Sequence, residues 1–175
     1  MSRAFVVLAV VSLAIVTAVS AVAAPPPSLQ DPLLDRMTGV WVLRGTIAGE
    51  KTTHDVVCEW VLGHNYVRIR EVSREKDAEG RPAYEAIVFV GKDPKADGYA
   101  CLWLDNTGGG GLVAQAIGHG RRSGDEIEFL FVGEDGSAFH TTFALGGQDG
   151  SWQWRMDGEA KGKLEPFARV RLTRE

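Results

Sequence analysis

Residues 126–145 read EIEFLFVGEDGSAFHTTFAL. Two apolar-alternating runs, Glu126 to Val132 and Ala138 to Leu145, flank a turn built from Glu134, Asp135, Gly136 and Ser137. Alternation with period two argues for half-buried strands, and Asp and Gly tolerate the positive φ that a hairpin turn needs. The same grammar continues outward in both directions. Upstream it gives Val40 to Ala48, Thr52 to Leu62, Tyr66 to Arg74, Ala83 to Val90, Tyr99 to Asp105 and Leu112 to His119; downstream it gives Trp152 to Met156 and Ala168 to Thr173. Turn chemistry separates them at 63–65, 77–80, 123–125 and 148–151. No helical period appears between Gly39 and Arg174. Sequential hairpins without a helix to cover them bury one face most economically by closing on themselves. The chain is therefore read as all-β, an antiparallel up-and-down β-barrel of about ten strands.

One short helix is expected before the sheet. Asp31 stands directly before Pro32 as an N-cap acid, Leu33, Leu34 and Met37 share an apolar side, and Gly39 ends the element. Further upstream, Arg3 precedes an apolar run from Ala4 to Ala24, broken only by Ser12, Thr17 and Ser20, with small residues at Ala21-Val22-Ala23. This pattern predicts a signal peptide over residues 1–23 and export to the periplasm or the extracellular space. The run is also long enough to span a bilayer, so an uncleaved anchor is the alternative. Residues 24–32, with Pro25-Pro26-Pro27, form a stiff Pro-rich spacer. Cleavage after Ala23 leaves 152 of the 175 residues, one ordinary domain over residues 33–175.

Charge excludes some partners. The chain carries 19 Lys and Arg against 23 Asp and Glu, with the basic residues scattered rather than clustered. Nucleic acid and anionic membrane surfaces are not expected to bind it. Cys58 and Cys101 both fall within expected strands; in an oxidising compartment they either pair or pack as two small hydrophobes.

Gly39-Val40-Trp41, directly after a short capped helix, resembles the Gly-x-Trp entry of lipocalins and related calycin barrels. That resemblance implies that Trp41 closes the barrel floor against a basic residue of a late strand, with Arg169 or Arg171 in that place. A second stretch, Gly91-Lys92-Asp93 followed by Tyr99, Trp103, Asp105 and the glycines at 108–111, resembles a bacterial lipocalin-like family of uncharacterised function. That family's pattern is a Gly-Tyr-Asp turn, a Tyr, Trp-x-Asp and a Gly-containing loop; here Lys92 replaces the usual aromatic. Leu62-Gly63 and Tyr66 fit its earlier Gly-x-x-Tyr hairpin. The resemblance spans most of residues 33–173 and implies a calycin-like fold without an established reaction.

A barrel interior is where function would lie. If their strand faces point inward, His119, Gln115 and His140 become the sparse polar groups of an apolar ligand pocket. Trp60, Trp103, Trp152 and Trp154 are candidate lining for the same cavity. Trp41, Arg171, Asp93 and Asp105 are given structural roles, the two acids as turn residues bonding nearby amides. The four histidines, His54, His64, His119 and His140, lie 10, 55 and 21 residues apart, with no His-x-His or Cys-x-x-Cys spacing to encode a metal chelate. Heme-binding barrels of the nitrobindin type are similar in their Gly-x-Trp opening and late-strand axial histidine, a role His140 would carry here; no other cofactor is suggested. Catalytic signals are thin: Ser123, Ser137 and Ser151 sit in turns, and Gly108 to Gly111 has neither the helix nor the lysine of a phosphate loop.

The sequence thus predicts an exported barrel that binds a small, largely apolar ligand. The alternatives are a filled barrel acting as an interaction domain, with an outer apolar strand pairing to a partner or a second copy, and a barrel isomerase or cyclase using interior polar groups.

Overall fold

The computed structural model describes residues 31–93, 95–108 and 112–175. The expected signal peptide, most of the Pro-rich spacer, Pro94 and Gly109 to Gly111 lie outside the described residues. The helix forms as Asp31 and Pro32 dictate. It is α1, Pro32–Met37, and the Asp31 carboxylate accepts from the amides of Leu33 at 2.8 Å and Leu34 at 3.3 Å. Ten strands follow: β1 Gly39–Ile47, β2 Glu50–Val61, β3 Tyr66–Ser73, β4 Glu85–Lys92, β5 Tyr99–Asp105, β6 Ile117–Ser123, β7 Glu126–Val132, β8 Ala138–Leu145, β9 Trp152–Ala160 and β10 Lys163–Arg174.

Each strand pairs antiparallel with its sequence neighbours, and β1 closes on β10, setting Trp41 opposite Arg174 and Leu43 opposite Leu172. The result is a closed up-and-down barrel with no free edge among the described strands. β5, β7 and β8 have the bounds that the alternation predicts. β9 and β10 are longer than expected, running on to a Lys161-Gly162 turn in which both residues have positive φ. Charged and glycine residues over 157–165 mask the alternation there. The larger departure is at Leu112 to Ala116. It reads as the start of a strand, but Ala114–Ala116 form a 3-10 turn and β6 begins only at Ile117.

One end of the barrel is filled and sealed. Trp41, Trp152, Trp154, Phe129 and Phe143 are fully buried with Leu33, Leu34 and Met37 of α1. Phe143 packs on Trp154 with ring centroids 4.7 Å apart and on Phe129 edge-on at 5.7 Å. The C-terminal carbonyls of α1, which lack intrahelical partners, are met by side chains of the barrel. Trp41 Nε1 donates to the Met37 carbonyl at 2.8 Å, and Trp152 Nε1 to the Arg36 carbonyl at 3.4 Å. Arg174 donates to the Thr38 carbonyl at 2.8 Å while its guanidinium lies 3.9 Å from the centre of the Trp41 ring. The basic residue on the floor tryptophan is therefore Arg174, not Arg169 or Arg171. The register decides this, since Arg174 is the residue directly opposite Trp41. Arg171 faces outward, paired with Asp149 and Ser151.

β6 contributes no side chain to the core at Gly118 and Gly120. A Cβ at Gly118 would stand 2.7 Å from the Phe131 ring, and one at Gly120 would stand 2.4 Å from the Glu128 carbonyl oxygen. These glycines let the rings of β7 lie flat against the β6 backbone. Cys58 and Cys101 are separate buried thiols. Burial pushes the Cys58 thiol up to about 12, with the nearby Glu71 charge adding to it, and burial raises Cys101 further. Both are held as unreactive neutral groups.

Candidate functional site

Among the described residues the barrel is open at the end opposite α1. A cavity of about 580 Å³ lies in this mouth, beyond the layer of buried tryptophans. Its two sides differ in chemistry. Phe131 of β7, Phe139 of β8, Met156 of β9 and Phe167 of β10 form an apolar wall, with Phe139 and Phe167 in edge-to-face contact at 5.4 Å. Facing it, β2, β3 and the end of β5 supply Thr52, His54, Glu71, Ser73 and Asp105, with Tyr84 and Trp103 beside them.

The polar side is a connected network. His54 is buried, because it shares the inward face of Val56 and Cys58, and its Nδ1 meets a carboxylate oxygen of Glu71. Its Nε2 lies 2.7 Å from the Thr52 hydroxyl, which itself donates to Glu75 at 3.0 Å. A hydroxyl has a single proton, so His54 Nε2 must be the donor to Thr52. The contact between Nδ1 and Glu71 then holds one proton, and the pair is neutral as a unit. A continuous chain of hydrogen bonds thus runs from buried Glu71 through His54 and Thr52 to Glu75 at the rim. Burial works against ionisation of Glu75, but its own backbone amide, the Thr52 hydroxyl and the Thr53 amide outweigh it and hold the carboxyl below its ordinary range. The second Glu71 oxygen, Oε2, is buried without a hydrogen-bond partner among the described residues. Tyr84 stacks on the His54 ring at 5.5 Å and accepts from Trp103 Nε1 at 3.1 Å; burial, then the Glu71 charge, keeps its hydroxyl protonated far above the usual tyrosine range.

No protein-family model and no curated protein matches this chain.

Of the residues singled out in the sequence, Trp103 and Gln115 line the cavity. Asp105 is at its rim, where Oδ1 accepts from the Thr107 and Gly108 amides, each at 2.8 Å. His119 and His140 do not face inward. The 3-10 turn breaks the alternation between Gln115 and His119, so that Gly118 takes the inner position and His119 the outer one. There its Nδ1 donates to Asp93 at 2.7 Å. Asp93 also accepts from the Lys95 amide, and that bond, with the one from His119, holds its carboxyl below the ordinary range. His140 shares a face with Ala138 and Thr142, as the alternation requires, but the inner face of β8 is that of Phe139, Thr141 and Phe143. Outside, His140 contacts Glu128 at 2.7 Å and Glu159 at 3.4 Å. Partial burial opposes its protonation; the two carboxylates outweigh that and raise its pKa. With both ring nitrogens so engaged on the outer surface, His140 does not fit an axial heme ligand. Among the described residues, no group of three or more His, Cys, Asp or Glu side chains is placed to hold a metal ion.

The remaining tryptophans belong to the sealed end. Trp152 and Trp154 are core residues, and Trp60 donates to Asp35 of α1 at 2.8 Å while stacking on His64 at 4.2 Å. The outer side chains Ile87, Leu102, Leu104 and Ile117 form an apolar row across β4, β5 and β6. Because α1 packs at the floor, it does not cover them. His54, Glu71 and Tyr84 line the cavity without being among the site residues that the sequence singles out. The signal for Glu71 was present: it is a carboxylate in phase with Val67, Ile69 and Ser73, on the buried face of its strand.

Proposed function

We propose that this protein is an exported barrel that takes a small, largely apolar molecule into its mouth cavity. The observation that carries the reading is the cavity itself. At about 580 Å³ it lies within the usual range for small-molecule sites, and phenylalanine rings line one side while a few fixed polar groups line the other. Trp103 is the tryptophan among its lining residues, which provides a direct readout. A hydrophobic-compound screen on the purified protein is expected to yield ligands that quench tryptophan fluorescence and raise the melting temperature, with the quench largely lost in Trp103→Phe. A screen with neither signal for any compound would sink the proposal. Export is tested separately: the protein recovered from the periplasm or culture medium is expected to begin at Ala24 by mass spectrometry, whereas an intact N-terminus in the membrane fraction would favour an anchor.

The apolar row on β4, β5 and β6 favours one second reading, association through the outside of the barrel. Strand addition is not its route, since every described strand is paired on both sides. Concentration-dependent sedimentation together with a negative ligand screen would support it.

A further inference from the structure

We propose that the ligand of the mouth cavity is cationic: a small apolar or aromatic molecule bearing one protonated amine. The inference rests on the cavity-binding reading and adds a charge and an orientation to it. Among the described residues four carboxylates line the cavity, Glu50, Glu71, Glu75 and Asp105, against one lysine, Lys51. The Glu71 and His54 pair is neutral as a unit, so the remaining lining groups leave a net negative charge. Their distribution is one-sided. Every carboxylate comes from β2, β3, the segment after β3 or the end of β5, while the phenylalanines come from β7, β8 and β10. A ligand with a charged head and an apolar body can therefore satisfy both walls at once.

Glu71 supplies an independent observation. Its side chain is 2% exposed and lines the cavity, yet Oε2 has no partner among the described residues. A buried carboxylate oxygen without a donor is costly, and an ammonium group brings up to three donors and the complementary charge. Trp103 and Tyr84 also line the cavity, and aromatic rings attract a cation more strongly than a neutral alcohol. An anionic ligand would meet the acidic side without a compensating arginine, since none of the described arginines lines this cavity.

The test uses three probes of one size and shape on the purified protein: 1-naphthylmethylamine, 1-naphthalenemethanol and 1-naphthoic acid. Affinity is measured by calorimetry and by the Trp103-dependent quench at neutral pH. The amine is expected to bind about tenfold tighter than the alcohol, the acid weakest, and the preference is expected to shrink with added salt. Glu71→Gln is expected to remove most of the amine preference. Glu75→Gln, at the exposed rim where folding is not at stake, is expected to reduce it. Equal binding of amine and alcohol, tightest binding of the acid, or a preference unchanged in both variants overturns the charge assignment and leaves the cavity reading standing. Failure of all three probes to bind while the hydrophobic screen yields ligands overturns the charge assignment alone; failure of the probes together with an empty screen overturns both.

Discussion

Trp41→Ala is expected to lower the unfolding free energy by about 3–5 kcal/mol, the range for removing a large aromatic side chain from a packed core. Trp41 is 1% exposed and joins three parts of the molecule. Its ring fills the floor among the α1 side chains, its Nε1 satisfies the Met37 carbonyl, and its face carries the Arg174 guanidinium. Alanine removes all three at once and leaves a helix carbonyl without its donor. Trp41→Phe retains most of the volume but loses the hydrogen bond, so a smaller loss of about 1–2 kcal/mol is expected. Urea denaturation of the two variants checks the order; a loss below 1 kcal/mol for the alanine variant would show that the floor is not packed as described.

The second large effect is expected at Asp31, which locks the other end of α1. It caps the helix amides, accepts from the Tyr99 hydroxyl of β5, and faces Arg122 of β6 at 3.3 Å. Removing it by Asp31→Ala combines a lost cap with a stranded tyrosine hydroxyl, together about 2–4 kcal/mol. Its titration gives the effect a pH signature. Burial alone would raise the Asp31 carboxyl, but the Tyr99 hydroxyl, the two helix amides and the Arg122 charge outweigh it and hold the carboxyl below the ordinary aspartate value. The same contact, after burial, pushes the Tyr99 hydroxyl up to about 12. A carboxyl depressed by folding adds stability above its unfolded pKa of about 3.9 and loses it as pH falls through the folded value. The gap in melting temperature between the natural protein and Asp31→Ala is therefore expected to be full near neutral pH and to narrow below about pH 4. A gap that stays constant down to pH 2 would contradict the ionised lock.

The fold was written plainly because its signals are local. Glu126 to Leu145 shows two strands and their turn in consecutive residues, and Asp31-Pro32 marks a helix start by its own chemistry. The site was harder to see because facing depends on what lies across the barrel. His54 and Glu71 can be placed on the inner faces of their strands by their apolar neighbours. His140 cannot, since the face holding Ala138 and Thr142 and the face holding Phe139, Thr141 and Phe143 are both acceptable until a partner sheet chooses between them. At Leu112 to Ala116 the local signal misleads. The residues alternate, but the chain there turns, and one lost step of the period exchanges inside for outside at His119. The cavity itself, assembled from strands far apart in sequence, has no local signature.

The pairing of β1 with β10 also bears on how the molecule reaches this shape. Trp41 and Arg174 lie at opposite limits of the barrel sequence, and every hairpin between them can form before they meet. Their joining closes the longest loop in the domain, so its entropic cost falls late and makes barrel closure the expected slow step of folding. Until then the floor has neither its guanidinium nor its full ring of hydrogen bonds around α1, and the sheet still has two open edges. The interval between hairpin formation and closure is when the chain is most exposed to mispairing, and the Arg174 contact to Trp41 ends it.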